Sequence, residues 1–174
     1  MIRLLSTLVI AASLCLVSGA ARAETKVTLS AVHLCCPACV TAVGKTLKDL
    51  PGVKGECSQS AKTITLTADH AEAAQKAVDA LAAAGFHGKP DSDAVKFKAV
   101  DTPSGNVKRL EVSGVHNCCG QCTRAIKAAI GKVKGVTADT VVAKNEEFVV
   151  EGDFSAAELV EALLADGFHV KVKK

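Results

Sequence analysis

A seven-residue pattern, H-x-C-C-x-x-C, occurs twice in the chain, 83 positions apart. The first copy runs from His33 to Cys39 and the second from His116 to Cys122. Together they contain six of the eight cysteines and two of the five histidines. A chain that carries so dense a motif twice has to build two similar local structures, each of which gathers thiols.

The repeat extends beyond the cysteines. Pro51-Gly52-Val53 matches Lys134-Gly135-Val136 at the same offset of 83, and Gly85-Phe86-His87 matches Gly167-Phe168-His169 at an offset of 82. A repeat of about 65 residues is too long for a solenoid unit and long enough for a small domain. The sequence therefore predicts two domains of similar fold.

We place the first domain at residues 24–90, a linker at 91–106 and the second domain at 107–174. The linker ends in Asp101-Thr102-Pro103-Ser104-Gly105-Asn106, which is typical of a flexible connection. Within it, Val95 to Lys98 alternates like a strand. We expect this run to extend the edge of one sheet.

Residues 1–23 have the pattern of an export signal. Arg3 gives a positive start, Leu4 to Val17 is largely apolar, and Ala21-Arg22-Ala23 is a small-x-small cleavage site. The apolar run is too short to span a bilayer comfortably. We expect the mature chain to begin at Glu24, to lie in the periplasm or outside the cell, and not to span the membrane.

The mature chain is almost neutral. The full sequence has 21 basic and 18 acidic residues, and removal of Arg3 and Arg22 leaves 19 and 18. This balance gives no electrostatic basis for binding nucleic acid or an anionic membrane. The absence of Trp and Tyr removes the usual stacking platform for bases. We find no paired carboxylates, nucleophile–base pair or phosphate loop that would indicate an enzyme.

Both repeats have the same order of predicted elements, β-α-β-β-α-β. An alternating run leads into the cysteines, and apolar residues at helical spacing follow, with Pro37 suited to the first helical turn. Two further alternating runs predict a hairpin in each repeat. Their predicted core-facing residues are Val53, Cys57, Ile64 and Leu66 in the first repeat and Val136, Val142, Phe148 and Val150 in the second.

A second helix follows the hairpin in each repeat. Asp69-x-x-Glu72 and Ser155-x-x-Glu158 have the pattern of capping boxes, which leaves His70 as a solvated residue. Gly85 and Gly167 are predicted to end these helices in the left-handed conformation. The element order predicts an α+β fold of two tandem ferredoxin-like βαββαβ domains, each an antiparallel sheet with two helices on one face.

The strand–loop–helix order places each C-x-x-C pair at the first turn of a helix. Cys36 and Cys39 then share one helical face, and the free N–H groups and the helix dipole favour their thiolates. Cys35 adds a third sulfur and His33 an imidazole. Such a donor set suits Cu(I), Zn(II), Cd(II), Hg(II) or Pb(II). The equivalent candidate ligands of the second repeat are Cys119, Cys122, Cys118 and His116.

On these residues, each repeat resembles the heavy-metal-associated domain family, the small βαββαβ modules of copper chaperones and metal-pumping ATPases. With its export signal, the chain is most similar to the periplasmic mercury-binding members. The resemblance covers residues 26–90 and 107–173. Members hold their metal through the two cysteines of a Gly-Met-x-Cys-x-x-Cys loop. The resemblance thus implies metal binding by Cys36 with Cys39 and by Cys119 with Cys122.

The two loops depart from that family pattern. Gly-Met is replaced by His33-Leu34 and by His116-Asn117, and the residue before the first metal cysteine is Cys35 or Cys118. The family's Met packs beneath the site, a role that Leu34 suits better than Asn117. The adjacent cysteines resemble the loops of zinc- and cadmium-transporting members. They shift the expected ion from copper towards zinc, cadmium or mercury.

Five residues outside the loops also bear on the site. His87 and His169 begin the fourth strands and are predicted near the metal loops, either as extra ligands or donors to ligands or as exposed polar residues. Phe86 and Phe168 before them are predicted to pack. Cys57 is predicted to be a buried small apolar residue.

The favoured function is a non-enzymatic carrier or buffer of a soft metal ion. It would exchange the ion with a metal-transporting membrane protein or another thiol-bearing carrier. The alternative is a thiol–disulfide redox protein, against which stand the lack of a thioredoxin-like pattern and the third adjacent cysteine. A metal-tuned interaction or sensor module is also open. A disulfide staple between Cys36 and Cys39 would close too short a loop to stabilise much.

Overall fold

The computed structural model of the protein describes residues 23–173, so the predicted signal segment lies almost wholly outside the described residues. Within 23–173, no helix is both long and apolar enough to span a membrane. The first repeat consists of β1 (Thr25–Ser30), α1 (Pro37–Leu47), β2 (Val53–Ser58), β3 (Thr63–Ala68), α2 (Ala71–Ala83) and β4 (Lys89–Pro90). The second consists of β5 (Asn106–Ser113), α3 (Gly120–Ile130), β6 (Val136–Asp139), β7 (Phe148–Ser155), α4 (Ala156–Ala165) and β8 (Lys171–Lys173).

Each repeat forms one four-stranded antiparallel sheet. The strand orders are β2-β3-β1-β4 and β6-β7-β5-β8, so the two sheets have the same topology. In each, the first strand of the repeat lies in the centre and delivers the chain directly into the cysteine loop. The prediction of two tandem ferredoxin-like domains is confirmed.

Strand alternation builds the core of each domain. The inward residues of β1 and β3 are at most 1% exposed, and those of β5 and β7 at most 4%. Burying each such aliphatic side chain stabilises the fold by about 1.5–3 kcal/mol. The central strands are therefore fixed on both sides of each cysteine loop. The core-facing residues are Val27, Leu29, Ile64, Leu66, Leu110, Val112, Phe148 and Val150.

The hairpin of the second repeat differs from its prediction at Val142. Val142 is 56% exposed, whereas Val141 is 3% exposed and takes the core position. β6 ends at Asp139, whose carboxylate accepts a hydrogen bond from the backbone N–H of Val141 at 2.9 Å. This local turn shifts the alternation by one residue. Cys57, predicted to be buried, is only half-buried and packs against the core from edge strand β2.

The helix ends agree with the sequence except at α2. Its N-cap is His70, whose Nδ1 accepts a hydrogen bond from Ala73 N–H at 3.2 Å, so the predicted Asp69 cap and the predicted solvated role of His70 are wrong. α4 is capped by Ser155 as predicted. Gly85 and Gly167 have φ of 83° and 86°, the left-handed values predicted for them.

The predicted strand at Val95 to Lys98 does not form. Lys96 instead exchanges two hydrogen bonds with the side chain of Gln75 on α2, both 2.8 Å, and Val95 is buried. The first part of the linker is therefore fixed along α2 and does not extend a sheet.

The two domains contact each other through equivalent segments. Phe86 and Phe168 form an antiparallel bridge, with His87 N–H donating to Gly167 C=O and His169 N–H donating to Gly85 C=O, both at 3.0 Å. The reciprocal bonds make the contact approximately two-fold symmetric. It brings the cysteine loops of both domains to the same place.

Candidate metal centre

The cysteine loops hold their sulfurs at the start of α1 and α3. Cys36 and Cys119 are the N-cap residues of these helices, and Pro37 occupies the first helical turn as predicted. Cys39 and Cys122 lie one turn further along and are buried. The free N–H groups of the first turn and the positive end of the helix dipole lie at these helix ends, which is the local reason that thiolates are favoured there.

All six cysteines of the two motifs meet in one cluster. Within the loops, Cys35 Sγ lies 3.7 Å from Cys39 Sγ, and Cys118 Sγ lies 3.7 Å from Cys122 Sγ. Across the domain contact, Cys35 Sγ lies 3.4 Å from Cys122 Sγ and Cys39 Sγ lies 3.6 Å from Cys118 Sγ. The two predicted sets of thiols therefore belong to one centre that both domains share.

The sulfur spacing is suited to a common ion. A metal bound to thiolates at about 2.3 Å holds two of its sulfurs about 3.8–4.0 Å apart. The sulfurs of Cys36 and Cys39 are 3.7 Å apart, and those of Cys39 and Cys122 are 3.9 Å apart. Small shifts of these side chains would bring either pair of sulfurs, together with a third sulfur, within bonding distance of one ion. None of the cysteines in residues 23–173 is in a disulfide.

His33 and His116, the nitrogen donors predicted from the sequence, each contact the opposite domain. The ring of His33 stacks on Phe168 and that of His116 stacks on Phe86, both at 4.3 Å between centroids. Each histidine is thus oriented by the opposite domain. Their Nε2 atoms are buried without a hydrogen-bond partner, which is unfavourable for a polar atom unless it binds something.

These histidines lie beside the sulfurs. Donor atoms of His116, Cys39, Cys118 and Cys122 lie within 4.8 Å of one another, as do those of His33, Cys35 and Cys122. A third group, within the same distance, is Cys35, Cys36 and Cys119. All eight predicted ligands are thus close enough to share ions.

The thiols titrate unequally because they share protons. The hydrogen bond between the thiols of Cys39 and Cys122 lowers the pKa of Cys39 and raises that of Cys122. The backbone N–H of Cys122 lowers the pKa of Cys119 to about 7. Burial raises the pKa of Cys35 to about 12 and also raises the pKa of Cys118. The cluster therefore retains protons at neutral pH, and a metal ion would displace them.

The residues beneath the cluster differ between the two loops. Leu34 is buried among the apolar residues of the core, and its role beneath the metal stays a prediction. Asn117 is equally buried, and its amide donates to the carbonyls of Val142 and Asn145 at 2.8 and 3.0 Å. It also accepts a hydrogen bond from the Thr123 hydroxyl at 2.9 Å. Asn117 thus supports its loop through hydrogen bonds where Leu34 uses apolar packing.

The structure does not group His87 and His169 with the sulfurs. Their Nδ1 atoms lie 3.4 Å apart, and the ring of Phe97 lies 4.4 Å from that of His87. Neither belongs to a group of potential metal ligands among residues 23–173. Burial and the nearby His169 lower the pKa of His87 to about 4, and burial lowers that of His169. The prediction that they are ligands or donors to ligands is not supported. The alternative prediction that they are exposed polar residues is wrong for His169, which is buried, and His87 is half-buried.

Sequence reasoning missed the contribution of Phe86 and Phe168 to the centre. They were predicted to pack, and each does so against a histidine of the other domain. The repeated Gly-Phe-His tripeptide was the available signal, because both copies keep it at nearly the same distance from the cysteines. Only the contact between domains gives that tripeptide its role.

Comparison with known proteins identifies the second repeat. Residues 109–169 match the family model of the heavy-metal-associated domain. The solution structure of the N-terminal soluble domains of Bacillus subtilis CopA is similar at 20% identity, covering 87% of this chain and 95% of that chain, with a TM-score of 0.32. At this TM-score the likeness supports no conclusion, and the fold follows from the strand order alone. No curated protein matches the chain. Residues 109–169 are therefore similar to the heavy-metal-associated domain, and the first repeat has the same strand order and the same cysteine motif.

Proposed function

We propose that the protein is an exported, non-enzymatic carrier or buffer of a soft metal ion. The observation that supports this most directly is the single cluster of six sulfurs with S···S distances of 3.4–3.9 Å. His33 and His116, whose buried Nε2 atoms lack partners, are the proposed additional donors for an ion that takes more than three ligands. Thiolate-rich sites select soft and borderline ions.

The partial burial of the sulfurs is suited to transfer of the ion to a partner protein. Cys39 and Cys122 are buried, whereas the other four sulfurs belong to half-buried residues at the edge of the cluster. An incoming thiolate can bind the ion at that edge before an outgoing thiolate leaves. Each exchange then breaks one metal–sulfur bond as another forms, so tight binding remains compatible with rapid release. The fitting partner is a thiol-bearing carrier or a metal-transporting membrane protein.

Metal titration tests this function. The reduced mature chain is titrated without oxygen with Cu(I), Zn(II), Cd(II) and Hg(II) against a competing small-molecule thiol, following thiolate-to-metal absorption. The absence of Trp and Tyr leaves that ultraviolet range clear. We expect at least one ion to be held tightly, with a loss of affinity of at least tenfold in C36S and in C119S. C57S is the matched control, because Cys57 lies outside the cluster and should leave binding unchanged.

One outcome of the titration would contradict the carrier function. If no ion is held against the competing thiol, the carrier function fails. If the chain also exchanges disulfides with a model substrate without metal, the thiol–disulfide redox alternative replaces it.

Export is tested separately by expressing the full chain and sequencing the N-terminus of the protein recovered outside the cytoplasm. The proposal expects Glu24 there, and an intact N-terminus in the cytoplasm would contradict it.

A further inference from the structure

We propose that the six thiolates bind a single polynuclear Cu(I) cluster, in which four ions are bridged by sulfurs of both domains. This proposal rests on the metal-binding function above and specifies its cargo and stoichiometry. The alternative arrangement is the one that the two motifs suggest in isolation, with one ion held independently by the C-x-x-C pair of each domain.

The sulfurs are too close together for independent sites. An ion held by Cys36 and Cys39 alone would have Cys118 Sγ of the other domain 3.7 Å from one of its sulfurs and 3.6 Å from the other. This third sulfur completes a nearly equilateral triangle. By the symmetry of the contact, Cys35 Sγ lies 3.7 Å from Cys119 Sγ and 3.4 Å from Cys122 Sγ, which are 3.9 Å apart. Each C-x-x-C pair therefore has a third sulfur within 3.7 Å of both of its own, from the cysteine that precedes the pair in the opposite domain.

Triangles of this size fit three-coordinate ions. Three sulfurs about 2.3 Å from a central ion are separated by about 4.0 Å, and the triangles here have sides of 3.4–3.9 Å. Divalent Zn(II) prefers four ligands in a tetrahedron. Among residues 23–173, the group of four mutually close donors is His116 with Cys39, Cys118 and Cys122, and one Zn(II) ion held there would leave the other three thiolates without a metal. Cu(I), a soft ion selected by thiolates, is well matched to the triangles of sulfur alone.

Four triangles can be filled together. One consists of Cys35, Cys39 and Cys122, and the next of Cys36, Cys39 and Cys118. The third is Cys35 with Cys36 and Cys119, whose sulfurs lie within 4.8 Å of one another. The fourth is formed around Cys122, whose Sγ lies 3.7 Å from that of Cys118 and 3.9 Å from that of Cys119.

Any two of these four triangles have one sulfur in common. If each triangle holds one ion, every sulfur bridges two ions and every ion is bound by three sulfurs. Six thiolates then bind four ions.

Charge favours the same stoichiometry. Six thiolates in a partly buried cluster repel one another, and two Cu(I) ions would leave four of those negative charges uncompensated. Four Cu(I) ions would leave two uncompensated negative charges. Binding of each ion displaces any proton that its thiols retain, with no change in oxidation state of either copper or sulfur.

The test is an anaerobic Cu(I) titration of the reduced mature chain against a Cu(I) chelator. Native mass spectrometry gives the number of ions, and X-ray absorption gives the copper neighbours. We expect an end point of four Cu(I) per chain, reached without accumulation of a two-copper form, with copper–copper scattering and three sulfurs per copper. An end point of two, with two sulfurs per copper and no copper–copper scattering, would overturn the cluster. Tight binding of two separate ions would leave the carrier function intact, whereas no binding would overturn both proposals.

Two double variants separate a shared cluster from independent sites. C36S/C39S removes thiols only from the first domain, and C119S/C122S only from the second. Independent sites predict that each variant keeps one ion at unchanged affinity. A shared cluster predicts that either variant loses the four-copper form and the copper–copper scattering. C57S is again the matched control, and circular dichroism of each metal-free variant checks that it is folded.

Discussion

Gly85 has two separate reasons to be glycine. Its φ of 83° ends α2 in a conformation that L side chains adopt only at a cost, and its α-carbon faces the cysteine loop of the other domain. A Cβ atom there would lie 2.2 Å from the backbone N of His116. Gly167 is in the equivalent position, where a Cβ atom would lie 2.3 Å from the backbone N of His33. Each glycine thus allows one domain to approach the metal loop of the other.

Comparing G85A with G105A separates the effect of the backbone conformation from the effect of the steric clash. Gly105 also has a positive φ, 75°, but has open space around it. We expect G105A to lower the free energy of unfolding by about 1–2 kcal/mol through the backbone conformation. G85A should lower it by roughly 3 kcal/mol, because the clash adds to that cost. Urea denaturation of the reduced, metal-free chain measures both, and equal losses would contradict a close contact between the domains.

Single residues also show how far the sequence could predict the site. The positive φ of Gly85 follows from its place after an amphipathic helix, so the sequence pattern was sufficient to predict it. The burial of Asn117 was not predictable in the same way. It depends on two carbonyls, of Val142 and Asn145, that a loop of irregular structure brings beneath the cluster. No local pattern specifies that loop.

At the scale of elements, helix α2 begins one residue later than its sequence suggests. Asp69-x-x-Glu72 fits the capping box, but the backbone N–H of Asp69 is bonded to Gly52 C=O at 2.9 Å and continues the sheet. His70 therefore becomes the N-cap. The predicted alternation after β6 was wrong for a similar reason. The backbone N–H of Val141 donates a hydrogen bond to the Asp139 carboxylate, and this turn ends the strand early. In both cases a nearby hydrogen bond moved a boundary, while the type and order of elements remained as predicted.

The cap of α2 can be tested by substitution. We expect H70A to destabilise the reduced chain by about 1 kcal/mol, because Ala73 N–H loses its acceptor. H70S should retain most of the stability, since serine is a favoured N-cap residue. Thermal unfolding of both variants measures the difference. A loss of stability in H70S as large as that in H70A would indicate that the imidazole acts through packing and not as a cap.

For the whole molecule, the sequence predicted the eight candidate ligands but not their assembly. Helical spacing places Cys36 and Cys39 on one face, and the fold follows from periodicity within each repeat. The distance from Cys35 to Cys122 depends instead on how two finished domains pack. That packing rests on the bridge between Phe86 and Phe168, which joins segments far apart in the chain and has no periodic signature.

The contact between domains should respond to acid through His87 and His169. They face each other, Phe97 covers His87, and Lys171 lies on the side of His169. Burial and His169 hold the pKa of His87 at about 4, below its usual 6.5, so the unfolded chain takes up this proton at higher pH than the folded chain does. The stability due to neutral His87 is therefore complete above pH 6.5 and is lost as the pH falls through about 4.

Urea denaturation of the metal-free chain between pH 6.5 and 4 measures this loss. Because carboxylates also titrate in this range, the matched comparison is H87Q, which stays uncharged. We expect the stability of the wild type to fall more steeply than that of H87Q. Parallel curves would contradict a contribution from the buried imidazole.

The reciprocal contact between the two repeats has a consequence for how the centre depends on dilution. A single βαββαβ unit with the same surfaces would place its three sulfurs on the axis of a homodimer, and its centre would fall apart whenever the protein became scarce. Covalent tandem arrangement makes the same encounter intramolecular, with an effective concentration set by the linker, of order millimolar for a short flexible one. The docking of Lys96 on Gln75 shortens that linker further. The protein can therefore assemble a complete centre from one molecule, even at concentrations at which a dimer would dissociate.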